Sequence, residues 1–287
     1  MAESRGFPAS RALLYAVLGL LALLFLAPLA VMLLNAFKPL EEIRSGGLLS
    51  LPRHWSLQPW HSAWSQAQIG VSATGLRPYF INSLLIVVPA VLISTAVGAL
   101  NGYVLTQFRF RAGRLVYGLL LFAVFIPYQI VLIPMARTLG MLGLSGTLGG
   151  LVFVNVVYGI GFVTLFFRNY YLHFPVELVR SARMDGAGFL GVLWRILLPN
   201  SAPIIVVTVI WQFTSIWNEY LFASTFSSYG SSPLMAAVNN LVNSSMGVKE
   251  YNVYFAAAMI AAIPTLLVYA ASGKYFVRGL MAGAVKG

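Results

Sequence analysis

The sequence contains no cysteine, which excludes disulfides, thioether-linked haem and thiolate metal sites from this chain. Charge is scarce as well: Asp, Glu, Lys and Arg make up 9% of 287 residues, with seven acidic against 18 basic. Average sequences carry about 25% charged residues, so this chain has too little charge to clothe a water-soluble surface. No Gly-x-x-x-x-Gly-Lys-Ser/Thr occurs, and the terminal "AGAVKG" lacks both that spacing and a following helix. A phosphate cradle of that type is therefore excluded, and any ATP hydrolysis belongs to another polypeptide. Neither a Gly-x-Ser-x-Gly turn nor a Ser/His/Asp set points to hydrolysis. His54, His61 and His173 are scattered without a second ligand nearby, as surface residues are, so no metal site is expected.

What the sequence does have is apolar residues, 59% of the chain, with a mean hydropathy of +0.83. Backbone groups in lipid must be hydrogen-bonded internally, which leaves helices or a closed barrel. The apolar runs are long and continuous, not alternating, so an all-α polytopic membrane protein is expected. A span needs about 20 apolar residues, and six transmembrane helices are predicted near 12–34, 81–105, 115–135, 148–167, 202–223 and 253–273. The first run, at about 23 residues, exceeds the ~7–15 of a signal-peptide core and is read as an uncleaved span. No internal repeat or linker marks a second domain, so a single membrane domain over 1–287 is expected.

A net charge of +11 would suggest nucleic acid in a soluble protein. Here the basic residues flank apolar runs and set topology, so the expected partner is the lipid bilayer and not nucleic acid. With the N-terminus inside, the inner segments hold Arg5, Arg11, Arg109, Arg111, Arg114, Arg168, Arg180, Arg183, Arg195, Lys274, Arg278 and Lys286, against about six basic residues outside. Both termini are therefore expected in the cytoplasm. In the outer loop 35–80, Trp55, Trp60 and Trp64 recur four to five apart, as on an interfacial helix or on one that packs against the outer ends of the spans.

The spans themselves are almost free of charge; the one acid is Glu219, near the outer end of the fifth. Their polarity is neutral: Asn82, Asn101, Gln129, Asn155, Gln212 and Asn218. Amides donate and accept, which suits a hydroxyl-rich uncharged solute, although each amide could equally tie one helix to the next. Gln212, Trp217, Asn218 and Glu219 cluster; Gln212 and Glu219, seven apart, are expected to share a helix face, and Trp217 could offer a sugar an aromatic surface.

The interval 168–200 is a polar loop with a regular apolar pattern. Pro175 opens a helix whose Leu178, Val179 and Ala182 share a face, with Glu177, Arg180 and Arg183 elsewhere. Gly186 and Gly188 break it, and Phe189, Val192, Leu193 and Ile196 begin a second amphipathic run that ends at Pro199. The expected product is a two-helix knob able to pass a rigid-body push to the flanking spans.

In "RSARMDGAGFLGVLWRILLP", Gly186 is followed after nine residues by Ile196, Leu198 and Pro199. This resembles the cytoplasmic loop of ABC importer permeases, whose pattern is Glu-Ala-Ala, three residues, Gly, nine residues, Ile-x-Leu-Pro. "NSLLIVVPAVLISTAVGALNGYVLTQFRF" and the C-terminal stretch from Asn239 are similar to the carbohydrate importers, specifically the second permease of bacterial glucose or mannose systems. The resemblance implies a type I importer permease fold in the bacterial inner membrane and an ATPase-coupling loop containing Glu177, Arg180, Ser181, Ala182, Arg183, Asp185, Gly186, Ala187, Ile196, Leu198 and Pro199. It also implies a second permease, two ATPase subunits that bind ATP and Mg, an extracytoplasmic sugar-binding protein, and a tail after Arg278 that reaches the ATPases. One departure stands out: the family's Glu falls at Arg180 and its first Ala at Ser181. Either Glu177, one turn earlier, supplies the acid, or the partner is complementary.

The expected activity is alternating access for a neutral sugar such as glucose or mannose, along a path lined by Asn82, Gln129, Asn155, Gln212, Trp217, Asn218 and Glu219. Other readings are a disaccharide or polyol importer, an ion-coupled transporter relying on Glu219, and a scaffold without transport.

Overall fold

The computed structural model describes residues 9–108, 111–244 and 248–284, and the side chains of all of these except 9–10 and 273–284. Arg5, Arg109 and Lys286 lie outside the described residues, and the side chains of Lys274 and Arg278 lie outside the described side chains. The chain groups into two compact units, Met1–Arg77 with Asn240–Ala262, and Pro78–Asn239 with Ile263–Gly287.

The first unit opens with α1 (Ala9–Asn35), whose most apolar stretch is entirely unburied, a surface only lipid or another chain could cover. Helices α2 (Leu40–Ser45) and α3 (Gln58–Ser65) follow. Lys38 is fully buried, its ammonium donating to Ser50 Oγ (3.2 Å) and Gly47 O (3.4 Å). The Glu42 carboxylate accepts the Arg53 N–H at 2.6 Å, which holds its pKa below the usual carboxylate value. Of the tryptophans expected on one helix, Trp60 and Trp64 fall on α3 whereas Trp55 precedes it; the Trp60 and Trp55 rings sit 5.3 and 5.7 Å from Phe37, in the turn just after α1.

The second unit holds α4 (Arg77–Gln107) from Pro78 on, α5 (Gly113–Phe125), α6 (Tyr128–Met141) and α7 (Leu148–Leu172). It continues through α8 (Val176–Met184), α9 (Phe189–Asn200), α10 (Ala202–Trp217) and α11 (Leu221–Phe226). Helices α12 (Leu234–Asn243) and α13 (Tyr251–Ala284) each contribute to both units. Among the described residues four helices (α1, α4, α7, α13) are long and apolar enough to span alone, and up to six spans result if each of two bent pairs counts as one.

Two expected spans are interrupted as helices. The segment 115–135 is not one helix, because α5 and α6 meet at 105° across Ile126 and Pro127. Pro127 has no N–H to continue α5 and pushes Ile126 to an extended ψ of 123°. The segment 202–223 stops at Trp217 and restarts as α11.

Within this unit α4 and α7 pack closely through Gly98 and Gly102, a small-residue pair one turn apart. A Cβ at Gly102 would lie 2.8 Å from the Arg168 nitrogen, and one at Gly98 would meet the Val163 side chain. The crossing is reinforced by Asn101 Nδ2 donating to Thr164 Oγ1 at 3.3 Å.

Candidate functional site

The knob is built as its sequence dictates. Glu177 stands in the first turn of α8, where a negative charge complements the helix dipole, and Arg183 stands in the last. The helix ends in a Schellman cap: Ala187 N–H reaches Ala182 O (2.9 Å) and Gly186 N–H reaches Arg183 O (3.1 Å). Gly186 sits at φ +86°, a backbone conformation that a side chain disfavours. Gly186→Ala is therefore expected to destabilise the knob by about 1–2 kcal/mol. Faster amide exchange across 176–188, with exchange in α4 unchanged, is the measurement that checks it.

The buried face of α8 is Val179 and Ala182; Leu178, expected there, is 47% exposed. Residues 179 and 182 are three apart and face the core together, whereas Leu178 is turned about 100° away from Val179. In α9 the buried residues are Val192, Leu193 and Leu197, with Ile196 half-buried. Leu197 joins them because residues 193–197 form a π-turn, in which Leu198 N–H bonds Leu193 O five residues back. Pro199 explains it: with no N–H for the Arg195 carbonyl and a ring that crowds it, the preceding turn widens.

One core joins this knob to two spans. Ala99 and Tyr103 of α4, Val163, Phe167 and Tyr171 of α7, and Val179, Val192 and Leu197 of the knob are buried together. At its edge the Phe189 ring lies 4.8 Å from Tyr103 and 5.5 Å from Phe108, and the Arg183 guanidinium lies 5.4 Å from the Phe108 ring. Beside it, the Arg168 guanidinium lies 3.8 Å above the Tyr117 ring and ties α7 to α5. The polar face remains outward: Glu177, Arg180, Ser181, Arg183 and Asp185 are all exposed. The knob thus presents charge outward while its apolar side is fixed to α4 and α7.

The expected path residues do not form one group. Gln212 is buried and donates to Ser94 Oγ at 2.8 Å, tying α10 to α4 where Gly159 of α7 leaves room for its amide. Asn82 donates to Gly230 O and Ser232 O (3.1 and 3.0 Å) and fixes the loop after α11. Asn155 and Asn218 bond their own helix, at Leu151 O and Thr214 O. Trp217 is 1% exposed, stacked on Phe213 at 5.5 Å and edge-on to Phe80, so its ring offers no open surface. Gln212 and Glu219 do not share a helix face, because α10 ends at Trp217. Glu219 instead accepts the N–H groups of Phe222 (2.7 Å) and Ala223 (3.0 Å) and caps α11. A small cleft does bring Asn155, Glu219 and Ser83 together, walled by Ile86, Leu151 and Ile216.

Sequence reasoning missed an aromatic triangle beside Gln129 at the α5–α6 break. Tyr128 lies 5.0 Å from Tyr158 and 5.3 Å from Phe222, which are themselves 5.0 Å apart. Pro127, just before Tyr128 and Gln129, was the one local signal. Among the described residues no three His, Asp or Glu side chains gather to hold a metal.

The family model described as "Binding-protein-dependent transport system inner membrane component" matches residues 90–281, which include the knob. The probable ABC transporter permease protein PH1216 of Pyrococcus horikoshii is 41% identical over 179 residues, 62% of this chain and 65% of that protein. The xylose/arabinose import permease protein XacI of Haloferax volcanii is 33% identical, over 89% of this chain and 87% of its own. The crystal structure of a bacterial ABC transporter involved in the import of the acidic polysaccharide alginate matches with a TM-score of 0.80, at 20% identity, over 96% of this chain and 99% of that one.

Proposed function

The chain belongs to the binding-protein-dependent transport system inner membrane component family, a permease of carbohydrate ABC importers and not an enzyme, and from that premise we propose that it carries a neutral hexose such as glucose or mannose. The observation that carries the transport reading is the knob. Its exposed charges suit docking to a partner, and its buried face is continuous with the cores of α4 and α7.

The proposed assembly is this chain with a second permease, two ATPase subunits that bind ATP and Mg, and an extracytoplasmic sugar-binding protein. It lies in the cell (inner) membrane with both termini in the cytoplasm, in keeping with the basic residues of the inner segments. ATP closure of the partner subunits pushes the knob, and α4, α7 and α10 carry that motion to the solute path. Moving such a two-state equilibrium from 1:99 to 99:1 takes about 5.5 kcal/mol of differential binding, which ATP supplies. The 105° break supports a wet path beside α6, since irregular backbone at membrane depth is tolerated where protein buries it or water lines it. Tyr128 and Tyr158 stand there with Gln129, and aromatic faces and amides match a sugar's C–H faces and hydroxyls. The engagement of Glu219 in capping α11 argues against ion coupling through it.

Sugar-stimulated ATPase activity of the reconstituted complex tests this, with binding proteins loaded in turn with glucose, mannose, xylose, arabinose and disaccharides. Stimulation by hexoses is expected. Stimulation by pentoses alone, in keeping with the name of XacI, would replace the hexose reading; uptake that survives a disabled ATPase partner would replace the whole of it.

A further inference from the structure

The second bent pair places an elbow between the knob and the fifth span: α9 and α10 meet at 79°, with Ser201 at the corner. Such a corner leaves carbonyls without helical donors. Pro203 has no N–H, the Ser201 N–H turns back to Leu198 O at 3.0 Å, and the Ile205 N–H bonds Ser201 O at 2.9 Å. Side chains also reach the last carbonyls of α9. Asn200 Nδ2 donates to Ile196 O at 2.7 Å, Ser201 Oγ donates to Leu197 O at 2.6 Å, and Tyr170 Oη donates to Asn200 O at 2.6 Å. Ser201 is fully buried, and its Oγ is also hydrogen-bonded to the Tyr171 hydroxyl at 3.3 Å.

Two of these groups come from neighbouring positions near the end of α7. That helix is held against α4 by the close Gly98 and Gly102 crossing, so its end is a fixed post beside the corner. We propose that Tyr170 and Tyr171 latch the elbow to α7 through Asn200 O and Ser201 Oγ, making Tyr170 and Ser201 positioning residues for coupling. The inference rests on the importer reading. A push on the knob moves α10 only if the corner holds its angle. With the latch released, the corner flexes, the knob still docks and ATP is still hydrolysed, but less of the motion reaches the path.

The test uses the full complex carrying Tyr170→Phe or Ser201→Ala. Phe keeps the ring and its packing and removes only the donor. Sugar moved per ATP is expected to fall about five- to tenfold, while sugar-stimulated ATPase stays within about twofold. Corner geometry is read separately, by the distance distribution between spin labels on Leu190→Cys and Ser215→Cys, both exposed positions in a chain without native cysteine. A narrow distribution is expected for the parent and a broader one for each variant. A parent-like sugar-to-ATP ratio in both variants overturns the latch. If the parent complex shows no sugar-stimulated ATPase, the importer reading fails instead; the label distances then decide the latch alone, and parent-like distances in both variants reject it.

Discussion

Gly102→Leu is expected to leave less than about a tenth of the normal amount of folded protein in the membrane, the largest loss from any single substitution at the α4–α7 crossing. The reason lies in what the new side chain meets. Its Cβ alone would stand 2.8 Å from the Arg168 backbone nitrogen and 2.8 Å from Phe167 Cβ. Backbone cannot rotate aside, so the two helices must separate. Separation pulls apart the core of Ala99, Tyr103, Val163 and Phe167 on which the knob rests. Overpacking by one or two methylenes costs about 1–3 kcal/mol, and a leucine adds three carbons beyond the clashing Cβ. The total is a large part of a typical folding free energy of about 5–15 kcal/mol. Gly98→Ala should be milder only because it adds a single methyl, since that carbon would meet Val163 Cγ1 and stand 2.9 Å from Val163 Cβ and 3.0 Å from its backbone carbon. Extraction yield and thermal transition of the solubilised complex report both. Normal yield and transport by Gly102→Leu would show that the two helices do not cross there.

The knob was legible in the sequence because every device in it is local. Pro175, the Val179–Ala182 pair, Gly186 at positive φ and the apolar run from Phe189 lie within one short stretch, and each constrains its neighbours. The break of the third span was not legible, because proline alone does not decide a break. Pro28, Pro89, Pro134 and Pro264 all lie inside continuous helices, whereas Pro127 ends one. Periodicity likewise carried α10 through to Glu219, since nothing local foretold that the chain turns at Asn218 to let the carboxylate cap α11. Gly98 and Gly102 carried no signal of their own, because a four-residue glycine spacing acquires meaning only from the helix that lies opposite. The amides show the same limit. Gln212 to Ser94 and Asn101 to Thr164 are contacts between distant parts of the chain, and their packing role emerges only once α4, α7 and α10 are placed side by side. The aromatic triangle and the tyrosines at the elbow are long-range in the same sense.

Glu177→Lys is expected to lower sugar-stimulated ATPase of the complex about 30-fold or more while leaving the chain folded and inserted. Its fold cost is small. Glu177 is exposed in the first turn of α8, and reversing its charge there forfeits about 0.3–1 kcal/mol of helix-dipole stabilisation. If Glu177 pairs with a basic group on the ATPase partner, the same reversal places two cations together in a partly desolvated contact, where a lost charge pair costs about 2–5 kcal/mol. The position matters because Arg180 stands where relatives of the resembled pattern carry the acid. Residues 177 and 180 are three apart on one helix, so a partner groove that accepts one is within reach of the other. If Glu177 is the coupling acid, Arg180→Glu adds a second carboxylate to the same contact and preserves or raises coupling. If the partner is complementary, its acid meets Arg180: Arg180→Glu then collapses coupling and Glu177→Lys is tolerated. The two substitutions have opposite signs under the two arrangements, so ATPase activity of the assembled complex separates them in one comparison. Glu177→Gln, which removes charge without reversing it, should fall between Glu177→Lys and the parent in the first arrangement and match the parent in the second.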